Sequence, residues 1–274
     1  MSPLVSITIT TKNEEKNITA CLQSIKNQNF PQNKIEIIVV DNNSTDKTKQ
    51  FAKQFTTHVF NAGPERSAQR NFGAEKSHGT YYMYLDADMI LTPNILKESV
   101  KKFEKSKQLK GLYMPEIVLG SGYWSRVRRF ERSFYNATVI DCVRMVRKED
   151  FEKINGFDVS MSGPEDWDFD KKIRNLGKTE IISEPIFHNE AAFNLKKYIE
   201  KKGYYAKSFK TYVNKWGSND TDIRKQLGIR YRLIGVFTEN GKWKKLLTHP
   251  ILTLGMIALR CLVGYKYLQV KLSR

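Results

Sequence analysis

Cysteine is scarce in this chain of 274 residues, with three, at positions 21, 142 and 261. Their number is odd and no pair has a metal-ligand spacing, which excludes a disulfide framework and a zinc knuckle. Cys21 falls on the apolar face of a helical pattern, so buried free thiols in a reducing compartment are expected. Histidine occurs only four times. No stretch of twenty apolar residues is unbroken. The longest, residues 246–263, is interrupted by His249-Pro250 and carries Arg260, which leaves it short of a standard membrane-spanning run. The first strand pattern is followed by Thr11-Lys12-Asn13-Glu14 and not by the glycine-rich, basic loop with which a nucleotidyltransferase opens. Nor do the residues after Met1 show a basic stretch followed by an apolar one, so no secretory leader is expected and the chain reads as cytoplasmic.

Acidic residues are missing from one end only. Residues 1–195 hold 28 Lys and Arg against 25 Asp and Glu, whereas residues 196–274 hold 18 against 4. Most of the formal charge of +17 therefore sits at the C-terminal end. Such an asymmetry points to a polyanionic surface as partner, anionic lipid or nucleic acid, with a merely well-solvated tail as the bland alternative.

What is present is organised around residues 81–89, Tyr-Tyr-Met-Tyr-Leu-Asp-Ala-Asp-Met. An apolar and aromatic strand ends abruptly in Asp86-Ala87-Asp88. In open α/β sheets ligands bind beyond the carboxyl ends of the strands. Two carboxylates there can converge on one hard divalent cation, as a diphosphate-bearing substrate requires; alone, the pair reads equally as a solvated turn. Further strands are expected at residues 5–10, 35–40, 57–60, 111–118, 140–146 and 181–186. Helices are expected at residues 14–28, from 46 through 55, and at 67–77, 93–107, 148–154 and from 165 onward. Alternating strands and helices with short connections imply a mostly parallel sheet. Thr10, Asp41, Asp86 and Asp88 then end neighbouring strands along one crevice.

Residues 123–136 place Trp124, Val127, Phe130 and Phe134 on one helical face, with Arg126, Arg128, Arg129 and Arg132 around it. Such a helix either packs on the core with its arginines reaching outward, or lies against phosphates or lipid headgroups. Gly163-Pro164 breaks the chain before Glu165, Asp166 and Asp168. Acids in a first helical turn can simply complement the helix dipole. Alternatively one of them is a general base for a hydroxyl proton that leaves late. His188, after the last strand pattern, reads as structural or as a third metal donor beside a carboxylate.

Several stretches taken together resemble the large inverting family 2 of nucleotide-sugar glycosyltransferases, with the GT-A fold. They are Ser-Ile-Thr-Ile-Thr-Thr-Lys-Asn-Glu from Ser6, Ile-Val-Val-Asp-Asn-Asn-Ser-Thr-Asp from Ile38, Arg70-Asn71-x-Gly73, Leu85-Asp86-Ala87-Asp88, Gly156-Phe157-Asp158, and Glu165-Asp166-x-Asp168. The resemblance implies an α/β fold, Rossmann-like with a mostly parallel central sheet flanked by helices. It implies a glycosyltransferase domain over residues 1–192, with a nucleotide-sugar half to about residue 110 and an acceptor half from 111 to 192. It also implies roles. Thr10 and Asp41 would border the nucleoside base, with Glu14 close by. Arg70, or Arg66 a turn earlier, would approach the base or the diphosphate. Asp86 would contact the ribose and the metal's water shell, and Asp88 would bind Mg2+ or Mn2+ on the diphosphate. His188 would be an additional metal ligand. Asp166 would take the acceptor proton and Glu165 would orient the acceptor. The Gln-x-x-Arg-Trp signature of processive synthases is absent, so transfer of a single hexosyl or N-acetylhexosaminyl unit is implied. The acceptor would be a lipid-linked or cell-surface glycan, with a polyprenyl phosphate as alternative. From another class, the chain could be an inactive membrane- or nucleic-acid-binding module; the retained Asp86, Asp88 and Asp166 argue against that.

Residues 193–274 read as a basic, aromatic, helical extension. Lysines and aromatics interleave to residue 216, and residues 246–263 carry a narrow polar stripe of Thr253, Arg260 and Gly264. A helix in the membrane interface is expected, holding the protein on the cytoplasmic face of an anionic membrane. A single C-terminal span and a buried core helix are the alternatives. No nucleic-acid module is recognisable, which disfavours that partner.

Overall fold

A computed structural model describes residues 3–191 and 193–272. The centre is β1 (Val5–Thr11), buried along its whole length because it is flanked on both sides. It pairs in parallel with β2 (Ile35–Asp41) and, later, with β4 (Tyr81–Asp86), while β3 (Val59–Asn61) extends the sheet beyond β2. Strands covered on both faces need near-continuous apolar sequence, which is why these three were legible. Between them come α1 (Ile18–Lys26), α2 (Thr48–Ala52) and α3 (Arg66–Lys76). Gly73 lets α3 lie close on β1, since a Cβ there would collide with the Thr8 side chain.

The chain continues through β5 (Met89–Leu91), α4 (Ile95–Lys105), β6 (Leu109–Tyr113), β7 (Glu116–Leu119) and α5 (Tyr123–Arg132). It then forms β8 (Met145–Arg147), α6 (Lys148–Lys153), α7 (Glu165–Leu176), β9 (Lys178–Ile181) and β10 (Ile186–Asn189). The main sheet has the order β3-β2-β1-β4-β8-β6-β9, with β8 antiparallel to both neighbours. A second sheet, β5-β10-β7, sets His188 opposite Met89 and Val118. Apolar clusters cover both faces of the main sheet. Ile7, Ile9, Leu22, Leu85 and Phe103 lie on one side, and Tyr82, Tyr84, Phe151, Phe157 and Phe169 on the other.

Several expected elements differ. The single strand expected at 111–118 is two strands in different sheets, broken at Met114-Pro115, where proline has no N–H to donate. Residues 140–144 are not strand. There the Asp141 carboxylate accepts from the Ala137 backbone N–H and from Arg132, which holds a turn. The strand expected at 181–186 is also interrupted. Glu98 accepts from the backbone N–H groups of Ser183 and Glu184, and Pro185 follows. Neither Glu14 nor Glu15 lies in the first turn of α1. Glu15 instead accepts from the Lys47 backbone, and Asp46 from the Glu15 backbone, so these acids lock one loop to the other. Cys21 and Cys142 are buried as expected, but Cys261 is exposed.

Three of the four arginines of α5 turn inward, while Arg126 is exposed. Arg128 pairs with Glu131 and Glu190, Arg132 with Glu116 and Asp141, and Arg129 donates to the carbonyls of Val118 and Gly120. The helix therefore packs on the core, as one alternative expected, but with three of its arginines turned inward rather than outward. The extension folds back over the sheet as α8 (Leu195–Ala206), α9 (Phe209–Trp216) and α10 (Thr221–Leu227), and ends in a helix over Pro250–Leu272. That terminal helix starts after His249 and runs nine residues further than the apolar stretch alone suggested. Met256 and Leu259 pack with Val127, Phe130 and Phe134, and Arg260 pairs with Glu131. Of the polar stripe, Arg260 thus faces the protein, Thr253 is half-buried and Gly264 is exposed.

Candidate active site

Strand β4 delivers Asp86 beside Thr10, and the Thr10 hydroxyl donates to Asp86 Oδ1 at 3.0 Å. From α3, the fully buried Arg70 donates to Asp86 Oδ1 at 3.1 Å and to Asp166 Oδ1 at 2.7 Å. Its guanidinium lies against the rings of Tyr84 and Phe157, 4.5 and 4.9 Å from their centroids. One rigid fork therefore ties the strand-end carboxylate to the one that opens α7. A turn earlier, Arg66 reaches Asp86 Oδ2 at 3.5 Å, Glu165 Oε1 at 2.9 Å and the Tyr205 hydroxyl at 3.0 Å.

These cations set the protonation states. Burial would raise Asp86 and Asp166. It is outweighed at Asp86 by Arg70 and Arg66, and at Asp166 by Arg70, then Arg144 and Arg66, so both are held below the usual carboxylate range. Glu165 moves the other way, raised by burial and then by Asp166. Burial, and more weakly Asp88 and Asp86, also raises Glu14, against a hydrogen bond from Asn17. Asp168 is not in the cleft; it is buried against Trp216 Nε1 and Lys215.

Asp88 faces His188, whose Nε2 lies 3.1 Å from Asp88 Oδ2. The other ring nitrogen lies 2.8 Å from Glu116 Oε1. Burial opposes a charged imidazole, but Glu116 and then Asp88 hold the His188 pKa well above its ordinary value. Asp88 Oδ1 is buried without any hydrogen-bond partner. An orphaned hard oxygen, beside an imidazole whose far nitrogen is held by a carboxylate, fits a divalent cation and its supporting shell. Among the described residues no three His, Cys, Asp or Glu side chains converge on one point.

Arg66, Asp86, Asp88, Asp166 and His188 line a single cleft of about 430 Å³. Arg70 and Thr10 lie beneath it, and Glu165 flanks it through Arg66. Asp41 is placed apart from it, fully buried at the end of β2 and engaged by the backbone and hydroxyl of Ser44. Sequence reasoning missed Glu116 and Arg144 in the cleft wall, and the roof supplied by Tyr198, Lys201, Lys202 and Tyr205 of α8. Glu116 had one signal, its place just after the Met114-Pro115 break.

The sequence model described as Glycosyl transferase family 2 matches residues 6–154. Glycosyltransferase AglE of Haloferax volcanii is 41% identical over 93 residues, 31% of each chain. The Methanococcus voltae dolichyl N-acetyl-alpha-D-glucosaminyl phosphate 3-beta-D-2,3-diacetamido-2,3-dideoxy-beta-D-glucuronosyltransferase is 30% identical over 112 residues, 38% of this chain and 35% of that protein. The chain thus spans about a third of the length of these relatives. Among solved structures, mannosyltransferase PcManGT from Pyrobaculum calidifontis, in complex with GDP-Man and Mn2+, superposes with a TM-score of 0.64 at 18% identity, covering 98% of this chain and 88% of that one. Residues 1–349 of S. aureus TarS in complex with UDP-GlcNAc superpose with a TM-score of 0.55 at 17% identity, covering 97% and 92%. The fold is GT-A, with a mostly parallel central sheet flanked by helices and a helical C-terminal extension.

Proposed function

This chain belongs to glycosyl transferase family 2, and we propose that it moves one sugar, with inversion, from a nucleoside-diphosphate sugar to a hydroxyl of a lipid-linked or cell-surface glycan. The observation that carries this reading is the Arg70 fork, which holds Asp86 and Asp166 in one cleft. Asp166, ionised under the pull of Arg70, accepts the hydroxyl proton as the acceptor oxygen bonds to the anomeric carbon. The bond from that carbon to the diphosphate oxygen breaks, and the electron pair leaves with the nucleoside diphosphate. Arg66 presents a planar donor fork to the diphosphate. Asp88, with His188 beside it, would hold Mg2+ or Mn2+, which when bound offsets the negative charge growing on the leaving oxygens. Asp86 serves the ribose side, and Thr10 and Glu14 the nucleoside base. Glu165, tied to Arg66, positions the acceptor. Geometry rather than covalent chemistry supplies the rate.

The extension places the protein on an anionic membrane at its cytoplasmic face. The terminal helix is long and apolar enough to cross a bilayer, with a mean hydropathy of 1.4, and 22% of its apolar window is buried. Ile251, Leu254, Ile257, Leu262 and Leu268 are exposed along it. Its opposite side is docked on α5, which favours a helix lying along the surface. The experiment for the catalytic reading is transfer from a nucleotide-sugar in the presence of Mg2+ or Mn2+, with the product's anomeric configuration read by NMR. Retained configuration, or no transfer from any donor, overturns it.

A further inference from the structure

A second cavity of about 430 Å³ lies between α8, residues 229–233 and the terminal helix. Its volume is in the range of small-molecule sites, and its walls are mostly apolar, including Phe209, Leu227, Leu233, Val263 and Leu268. Ile229, Leu233, Tyr265 and Leu268 line it and are themselves exposed, so its outer rim continues into the bare apolar side of the terminal helix. At its inner end it shares Gly163, Trp167, Lys202, Tyr205, Arg232 and Arg260 with the catalytic cleft. Trp167 follows Asp166 directly in the chain.

The junction carries more positive charge than its carboxylates offset. Glu131 is already shared by Arg128 and Arg260. Arg260 is 7% exposed, and its Nε has no hydrogen-bond partner. Among the described residues no carboxylate lies within ion-pair distance of Lys202 or Arg232. They lie instead over aromatic rings, Lys202 at 5.2 Å from Tyr198 and Arg232 at 5.8 Å from Trp167. Burial, with Arg128 close by, pushes the Lys202 ammonium down to about 7. Two cations without a carboxylate, with Arg260 sharing Glu131 beside them, stand between a reactive cleft and an apolar chamber and fit an amphipathic ligand with its negative group in the middle.

Resting on the transfer reading above, we infer that the chamber is the acceptor's subsite, and that the acceptor is a glycan carried on a long-chain lipid phosphate or diphosphate. Its anionic group sits among Lys202, Arg232 and Arg260, and its hydrocarbon fills the chamber from the membrane side. The hydroxyl to be glycosylated then projects toward Asp166. A free phosphate or a bilayer phospholipid offers part of this chemistry, and the test separates them.

The full chain in detergent is titrated with farnesyl phosphate, farnesol, inorganic phosphate and dioleoyl phosphatidic acid, with thermal stability as readout. Farnesyl phosphate should stabilise the protein saturably, at least about tenfold more tightly than each of the other three. Gly264 lines the chamber, and a Cβ built there meets nothing within 4 Å. Gly264→Phe should therefore fill the space and weaken farnesyl phosphate binding by at least about tenfold, and the pair Lys202→Gln with Arg232→Gln should do the same by removing charge. Gly264→Phe should keep the wild-type response to a nucleotide-sugar with Mn2+, and a wild-type circular dichroism spectrum reports that the Lys202 and Arg232 pair has folded. Farnesyl phosphate binding unmoved by both changes, or matched by phosphatidic acid or inorganic phosphate, overturns the inference. Loss of the nucleotide-sugar response in wild type, with farnesyl phosphate still bound, would instead overturn the transfer reading and leave the lipid subsite standing.

Discussion

Arg70 Nη1 stands 2.7 Å from Asp166 Oδ1, with the guanidinium wholly buried and its second nitrogen on Asp86. Removing one partner of a buried ion pair leaves an uncompensated charge, at a cost of about 3–5 kcal/mol. Arg70→Met should therefore lower stability in urea by about 3 kcal/mol, while Arg70→Lys, which keeps charge but not the fork, should cost less. Equal stability of Arg70→Met and wild type would show that the fork holds nothing together.

Asp166→Asn should cut turnover by roughly two to four orders of magnitude, the usual range for a general base. Nucleotide-sugar affinity should hardly change. Simple complementation of the helix dipole predicts a different result, a loss of about 0.3–1 kcal/mol in stability with activity per folded molecule preserved. Steady-state kinetics beside a melting curve distinguishes the two. A larger loss from Glu165→Gln than from Asp166→Asn would reverse the assignment within the pair.

The strands that carry Thr10, Asp41 and Asp86 were legible because each is an apolar run closed by a polar residue, a local pattern. Asp166 was legible because Gly163-Pro164 marks the break before it. Glu116 and Arg144 were not, since each meets the cleft only through antiparallel pairings of β8 and a second sheet, contacts that no local period encodes. The arginines of α5 were ambiguous for a related reason. Their partners Glu116, Asp141 and Glu190 come from a strand of the second sheet and from two separate loops. The basic extension reads as one charged surface in sequence, yet Lys202, Arg232 and Arg260 are folded inward to the cleft.

Glu131 couples α5 to the terminal helix through Arg260 and is wholly buried. Burial would raise it, but Arg128 and then Arg260 hold it down to about 2. A carboxylate depressed in the folded state stabilises above its unfolded value of about 4.3 and loses that contribution as pH falls toward the folded value. The shift corresponds to about 3 kcal/mol. Glu131→Gln should thus be markedly less stable than wild type at pH 7, and the difference should shrink between pH 4.5 and 2. A difference constant across that window contradicts the ion pair.

On anionic vesicles, binding should weaken at high salt without vanishing. Each surface Lys or Arg contributes about 1 kcal/mol within a Debye length, and the exposed apolar face of the terminal helix adds a salt-insensitive part. Replacing the exposed Leu254, Ile257 and Leu262 with Glu should make binding fully salt-elutable in a flotation assay. Failure of the wild-type chain to float at low salt would remove the membrane from the account.

Asp88 is proposed to complete a metal-dependent nucleotide-sugar site. The most direct measurement is the melting temperature of the chain against a panel of nucleotide-sugars, with and without Mn2+, for wild type, Asp88→Asn and Asp166→Asn. At a ligand concentration a hundredfold above its dissociation constant, stabilisation should be about 2.7 kcal/mol. One donor should stabilise wild type and Asp166→Asn only when Mn2+ is present, and should leave Asp88→Asn unmoved. Stabilisation indifferent to Mn2+, or undiminished in Asp88→Asn, would contradict the account.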